Sequence, residues 1–386
     1  MSVPTGDAVA LTSALVRCDS RNPSLAPGAT GEGAIAVVLR DVLASWGMDA
    51  RVIEVAPERP NVVAIIHGTG GGRSMMFNGH IDTVGVEGMV HPPFDASIRD
   101  GRLYGRGSSD MKGGVAAMCA AAARVRGGAG GQLKGDLVIA AVMDEEWTSL
   151  GTRALLDSGL RADAAIVTEP TGLRIMPAHK GFVWLEIVVA GRASHGSRWD
   201  IGVDAIRGAG LFLAELDRLD REALPRRTHQ LLGRPSVHAS VIEGGLGLST
   251  YPDRCVIKVE RRTLPGERAQ DVLVEFQSLC ARVRATRPEF GFETTVSFAQ
   301  PPSDVPLDAP VVEALSTSVR EAGHAMSIAG MSAWTDAALL NERGIPAICF
   351  GPGDMGLAHA AEEYIAVNEI EHATAILASL ARRWCN

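Results

Sequence analysis

SMMFNGHIDTV, residues 74–84, decides how the rest of the chain is read. An apolar run reaches Gly79, and a histidine and an aspartate follow it one residue apart. A short buried strand that stops at this glycine carries His80 and Asp82 at its carboxyl end. In open α/β sheets that is the edge where ligands and chemistry collect. Other runs have the same form. NVVAIIHG, DLVIAAVM, AAIVTE and AICFG read as short strands, with helices at GAIAVVLRDVLASWGMDA, closed by Gly47, and at GGVAAMCAAAARVR. Strands alternating with helices predict an α/β fold whose mixed, mostly parallel sheet is flanked by helices on both faces. GTGGGR (68–73) and GGAGGQ (127–132) separate apolar runs and read as surface turns.

From about residue 178 to 295 the texture changes. FVWLEIVVAG and RCVIKVERRTL read as longer strands with alternating exposure, and DAIRGAGLFLAELDRL and AQDVLVEFQSLCARVRAT as amphipathic helices. The expectation is an inserted α+β domain over 178–295. Residues 1–177 and 296–386 then form one domain, to which the chain returns through PVVEALSTSVREAG and the strand around Ile348.

The 386 residues are 46% hydrophobic and 21% charged, as in ordinary globular proteins. A net charge of −8 with no basic stretch argues against a nucleic-acid partner. No apolar run approaches the roughly 20 residues needed to span a bilayer, so no membrane partner is expected. MSVPTGDAVALTSALV has neither a basic leader nor an apolar core with a cleavage site, which predicts no signal peptide. Six scattered cysteines without a CxxC read as reduced thiols, and the expected compartment is the cytoplasm.

Five stretches carry chemistry: GHIDTV (79–84), RGSSDMKGG (106–114), MDEEW (143–147), TEP (168–170) and AHAAEEY (358–364). Each follows an apolar strand or a glycine-marked turn, which places His80, Asp82, Asp110, Glu145, Glu146, Glu169 and His359 at one edge of the sheet. Taken singly, an HxD is more often a loop histidine, a DEE a solvated turn, and an aspartate before a helix a cap. Their shared position at strand ends favours a common site. Two histidines with several carboxylates suit a divalent cation, zinc before others. Two cations close together need a shared carboxylate, and Asp110 is the natural candidate.

At these residues the chain resembles the dinuclear zinc amidohydrolases that include acetylornithine deacetylase, succinyl-diaminopimelate desuccinylase, aminoacylase and the glutamate carboxypeptidases. The likeness runs in order through GHIDTV, PPFDASIRDGRLYGRGSSDMKGG, DEE, TEP, GRASHG, RRTLPGE, TDAALL, GIPAICFGPG and AHAAEEY. It implies a zinc-peptidase-like catalytic domain with an inserted lid and dimerisation domain. It implies two divalent ions, zinc first with cobalt or manganese as substitutes: one held by His80 and Glu169, the other by Glu146 and His359, with Asp110 between them. Glu145 would be the general acid/base, Asp82 would orient His80 through its second ring nitrogen, and the Asp110–Met111 peptide would be cis. His195 in GRASHG would stabilise the developing oxyanion, in dimeric relatives at the partner's site, which implies a homodimer through the insert. Arg262 in VERRTLPGE matches an arginine that grips the substrate carboxylate. Gly351 and Gly353 would offer backbone N–H groups to the same anion. Thr250 stands where some relatives have a substrate-contacting asparagine. Asp336 and Glu363 would support the site. The implied reaction is hydrolysis of the amide of an N-acyl amino acid. A dipeptidase or carboxypeptidase acting on a short peptide is the alternative, and a silent protein that keeps the pocket is a remote one.

Overall fold

SMMFNG does form a strand, but it runs through the glycine to His80 and is buried along its whole length from Met75 to His80. The computed structural model describes residues 3–127 and 131–386. The turn expected at GGAGGQ lies largely outside the described residues. Two compact units form: Met1–Pro177 with Val305–Ala329 and Thr335–Asn386, and Ala178–Asp304 with Gly330–Trp334.

In the first unit the sheet order is Ala50–Ala56, Arg59–Ile66, Leu137–Val142, Met75–His80, Ala164–Val167, Ala347–Cys349 and Ile175–His179. The four strands from Leu137–Val142 to Ala347–Cys349 are parallel to one another, and their neighbours on either side run antiparallel. Apart from Asn78 and His80, their side chains are apolar, and they are buried on both faces, as central parallel strands require. Because the four share one direction, their carboxyl ends share one edge, and the loops that follow all open there.

Helix Gly113–Gly127 is apolar nearly all round and correspondingly buried, packed against helices Ala8–Val16 and Val367–Cys385. Its first turn lies very close to the sheet. A Cβ on Gly114 would stand 2.0 Å from the Thr168 carbonyl oxygen, so only glycine permits this approach. The segment carrying Asp110 is thereby set beside the end of strand Ala164–Val167. Helix Gly33–Ser45 ends as its sequence predicts. Gly47 takes φ +79°, and the N–H groups of Gly47 and Met48 reach back to the carbonyls of Ala44 and Leu43.

The second unit is a four-stranded antiparallel sheet in the order Ser236–Gly244, Arg254–Thr263, Gly181–Ala190 and Gly291–Gln300. Val183, Leu185, Ile187 and Val189 alternate onto one face, where they meet Phe212 and Phe276 of helices Ala205–Arg218 and Ala269–Thr286. The expected boundary at 295 falls inside strand Gly291–Gln300. That strand is laddered to Gly181–Ala190 along its whole length, so the unit continues to Asp304. Strand Ser236–Gly244 has no buried apolar side to show in the sequence, since most of it is exposed.

Candidate metal centre

The shared edge gathers the charged residues of the five stretches. His80 ends its strand. Glu145 and Glu146 follow strand Leu137–Val142, and Glu169 follows Ala164–Val167. Asp110 precedes helix Gly113–Gly127, and His359 lies in the loop after Ala347–Cys349. Ligand atoms of His80, Asp110 and Glu169 lie within 4.8 Å of one another, and so do those of Asp110, Glu146 and His359. Asp110 belongs to both groups, with Oδ1 at 3.1 Å from His80 Nε2 and Oδ2 at 3.4 Å from His359 Nε2. Glu146 Oε2 is 3.0 Å from His359 Nε2, whereas Glu145 Oε2 is 3.9 Å from His80 Nε2. The two adjacent glutamates thus reach different imidazoles. The Asp110–Met111 peptide is cis.

These residues fit a pair of cations. Asp110, Glu145, Glu146 and Glu169 gather around two imidazoles, His80 and His359, so acids outnumber bases in the cluster. Glu146 Oε1 and Glu169 Oε1 are buried with no hydrogen-bond partner among the described residues. Mixed histidine and carboxylate donors with such unpartnered oxygens are the donor set of a borderline divalent ion.

Electrostatics tell the same story. Burial pushes Glu145 and Glu169 well above the usual carboxylate range, and neighbouring acids add to it. Burial likewise lifts Asp82 to about 7 and Asp336 to about 6. Burial opposes the charging of His80, yet its hydrogen bond to Asp110 and the nearby carboxylates prevail and raise it well above 6.5. Hydrogen bonds to Asp110 and Glu146 raise His359 to about 10. Burial also opposes the charging of Asp110, but the two imidazoles hold it below its ordinary value. A group raised by folding stabilises the fold below its unfolded pKa, and that contribution is lost as pH climbs through the folded one. Between pH 6.5 and 8 His359, raised from 6.5 to about 10, acts in this direction, and Asp82, raised to about 7, completes its loss there. Asp110, lowered, is ionised throughout that window, and His179 and Lys112, lowered by burial to about 4 and about 8, act weakly in the opposite direction there. Protein stripped of cations is therefore expected to melt several degrees lower at pH 8 than at pH 6.5, and added divalent cation to remove the difference. Melting curves with and without chelator measure this.

Asp82 faces the second ring nitrogen of His80, as expected, and does more besides. Its carboxylate accepts the backbone N–H groups of Glu145 and Glu146 at 3.1 and 3.2 Å and the Asn22 amide at 2.9 Å. With its oxygens so engaged, it is the Asp82 backbone carbonyl that meets His80 Nδ1, at 3.0 Å, while Oδ1 stands at 3.6 Å. The side chain holds the turn of the two glutamates, and the main chain holds the ring.

Behind Asp82 lies a buried network that single motifs do not announce. Asn22 also donates to Asp144 at 3.0 Å, and the Arg59 guanidinium bonds Glu32 at 2.7 and 2.8 Å and Asp144 at 3.0 Å. Asp144, in MDEEW, was open to notice as the first acid of its run. Asn22, Glu32 and Arg59 come from three separate segments with no shared pattern.

The residues expected to touch substrate stand as follows. Gly351 N–H donates to Thr171 Oγ1 at 3.1 Å and Gly353 N–H to Glu369 Oε2 at 2.8 Å. Both donors are spent inside the protein, so they form no anion cradle. In the second unit, Arg262 is paired with Glu260 at 2.7 Å and lies 5.2 Å from the Phe182 ring centroid. His195 is exposed, with Nδ1 2.8 Å from Ser197 Oγ, and bridges through its backbone to exposed Thr250. His179 is buried and bonds the Lys180 carbonyl at 3.0 Å.

Known proteins share both the sequence and the fold. The chain is 32% identical over 332 residues to an acetylornithine deacetylase of Myxococcus xanthus, covering 85% of each. It is 29% identical over 363 residues to an N-formyl-4-amino-5-aminomethyl-2-methylpyrimidine deformylase of Bacillus subtilis, covering 86% of this chain and 85% of that one. Its fold superposes with a TM-score of 0.81 on an M20 family metallo-carboxypeptidase of Sulfolobus solfataricus, at 18% identity and over 98% of this chain and 99% of that one. The model of peptidase family M20/M25/M40 matches residues 76–383, a span that opens on the strand bearing His80 and closes beyond His359. With the two ligand groups inside that span, the chain belongs to peptidase family M20/M25/M40 and is a hydrolase of that family.

Proposed function

We propose that the protein hydrolyses the amide bond of a small N-acyl amino acid at a centre of two divalent cations. The observation that carries the proposal is the sharing of Asp110 between two three-residue ligand groups, with Glu145 beside them and outside both. His80, Asp110 and Glu169 would hold one ion, and Asp110, Glu146 and His359 the other. Zinc suits these donors best, and cobalt or manganese would accept them. Such ions, when bound, make water acidic enough to ionise near neutral pH and polarise an amide carbonyl.

The protein's own groups do the rest. Asp82 and Asn22 hold the Glu145–Glu146 turn so that Glu145 faces the reacting water. Glu145 takes one proton from that water as its oxygen joins the carbonyl carbon, then returns the proton to the amine as the C–N bond breaks. Burial raises the Glu145 carboxyl well above its ordinary value, and cation charge beside it would favour the ionised form that serves as base. His195 would steady the developing oxyanion.

The acyl-amine substrate class is supported by the names of the two relatives, one a deacetylase and one a deformylase. A peptidase reading has support from peptidases that share the fold, the carboxypeptidase among them. A homodimer through the insert is supported by strand Ser236–Gly244. It is an edge strand with Val241 and Ile242 exposed, and the turn beyond it bears Leu246 at 97% exposure. Sedimentation of the purified protein tests that pairing. Among the described residues no helix is long and apolar enough to cross a membrane, and the six cysteines are unpaired, which is compatible with a place in the cytoplasm.

The deciding assay is hydrolysis of N-acetylornithine, succinyl-diaminopimelate, other N-acyl amino acids and dipeptides, before and after chelation and with ions restored. The proposal expects cleavage of an acylated amino acid that a chelator abolishes and zinc, cobalt or manganese rescues. Activity indifferent to both treatments would sink it.

A further inference from the structure

The loop that carries His359 leaves through one buried carboxylate, and the same carboxylate receives the loop that carries Asp110. Fully buried Glu363 accepts Arg106 Nη1 at 2.7 Å and the backbone N–H groups of Gly107, Ser109 and Asp110 at 3.0, 3.0 and 3.1 Å. Four donors fill the roughly four lone-pair positions of an ionised carboxylate. Arg106, 3% exposed, also donates to the Gly85 carbonyl at 2.8 Å and to the Ala360 carbonyl, next to His359, at 3.5 Å. A third tie joins the same loops: Ser109 Oγ accepts the Asp354 N–H at 3.1 Å and donates to the Asp354 carbonyl at 3.2 Å.

The two ligand groups depend unequally on this clamp. His80 and Glu169 emerge from or just beyond the adjacent parallel strands Met75–His80 and Ala164–Val167, whose ladder keeps them in place. Asp110 retains a second anchor in His80 at 3.1 Å. The His359 side chain is 52% exposed, and its backbone sits at φ +61°, a conformation that non-glycine residues hold only when their surroundings impose it. Arg106 bonds the carbonyl of the next residue, Ala360, and Glu363 anchors Arg106 in turn.

We propose that Arg106 and Glu363 are positioning residues that set the occupancy of the cation position formed by Asp110, Glu146 and His359, while the position formed by His80, Asp110 and Glu169 fills without them. This rests on the reading of the cluster as a two-cation centre. Glu363→Gln supplies one acceptor oxygen in place of two and turns an amide NH₂ toward donors. Arg106→Lys keeps the charge and loses the fork that spans Gly85 and Glu363.

The test is zinc uptake by chelator-stripped protein, followed by calorimetry, with circular dichroism reporting the fold. Wild type is expected to take up two ions. Glu363→Gln is expected to keep one at wild-type affinity and to bind the other about 10–100-fold more weakly, with Arg106→Lys intermediate. Two ions bound at wild-type affinity, or both weakened equally, would overturn the inference. If Glu363→Gln does not fold, Glu363→Asp and Arg106→Lys give the same comparison, and in them too a loss spread equally over both ions counts against it. A wild-type protein that takes up no ion refutes the two-cation reading instead, and so separates the two failures.

Discussion

Glu145→Gln is expected to lower kcat by about 10²–10⁴-fold, the usual worth of a positioned proton carrier, while the protein still binds its cations. Glutamine has the same shape and fits the same space, but it neither takes a proton nor returns one. Glu145 belongs to neither ligand group, and its backbone N–H stays bonded to Asp82 whichever side chain is present. Ion uptake should therefore match wild type, and elemental analysis alongside steady-state kinetics separates the two properties. A variant that turned over near the wild-type rate would remove Glu145 from its role.

Asp110→Ala should be more severe, because it withdraws an oxygen from both groups at once. Each is left with two ligands, one imidazole and one glutamate, and those imidazoles lose the carboxylate that lies 3.1 and 3.4 Å away. Uptake of two ions is expected to fail, with affinity down by 100-fold or more and turnover below detection. Glu169→Ala offers the internal comparison. It cripples one group and leaves Asp110, Glu146 and His359 complete, so one ion should remain bound. Equal uptake by both variants would show that Asp110 is not shared.

Why so much of this centre could be read in the sequence follows from where its residues sit. His80, Glu145, Glu146 and Glu169 each come directly after a buried apolar run, and parallel strands bring such ends together. Asp110 was marked by the glycines that let helix Gly113–Gly127 approach the sheet. Asp82 shows the limit of that reading. Its presence beside His80 was legible, but which of its oxygens meets the ring depended on Asn22 and the Glu145 and Glu146 amides, which are distant in sequence. Gly351 and Gly353 show another limit, since nothing local reveals that Thr171 and Glu369 already use their N–H groups. The boundary near 295 was missed because GFETTVSFAQ alternates weakly, with half-exposed rather than buried residues, and its pairing with Gly181–Ala190 is nonlocal.

Strand Ala347–Cys349 lies inside the sheet, between Ala164–Val167 and Ile175–His179, although the polypeptide enters it only after the whole of Ala178–Asp304 has been made. At ribosomal speeds of roughly 5–20 residues per second, this leaves on the order of ten seconds during which the nascent chain holds an open slot in its central ladder. Over that interval the edges of the two flanking strands lack the partner that later pairs with them. His359 joins the cluster only once that late strand has closed the slot.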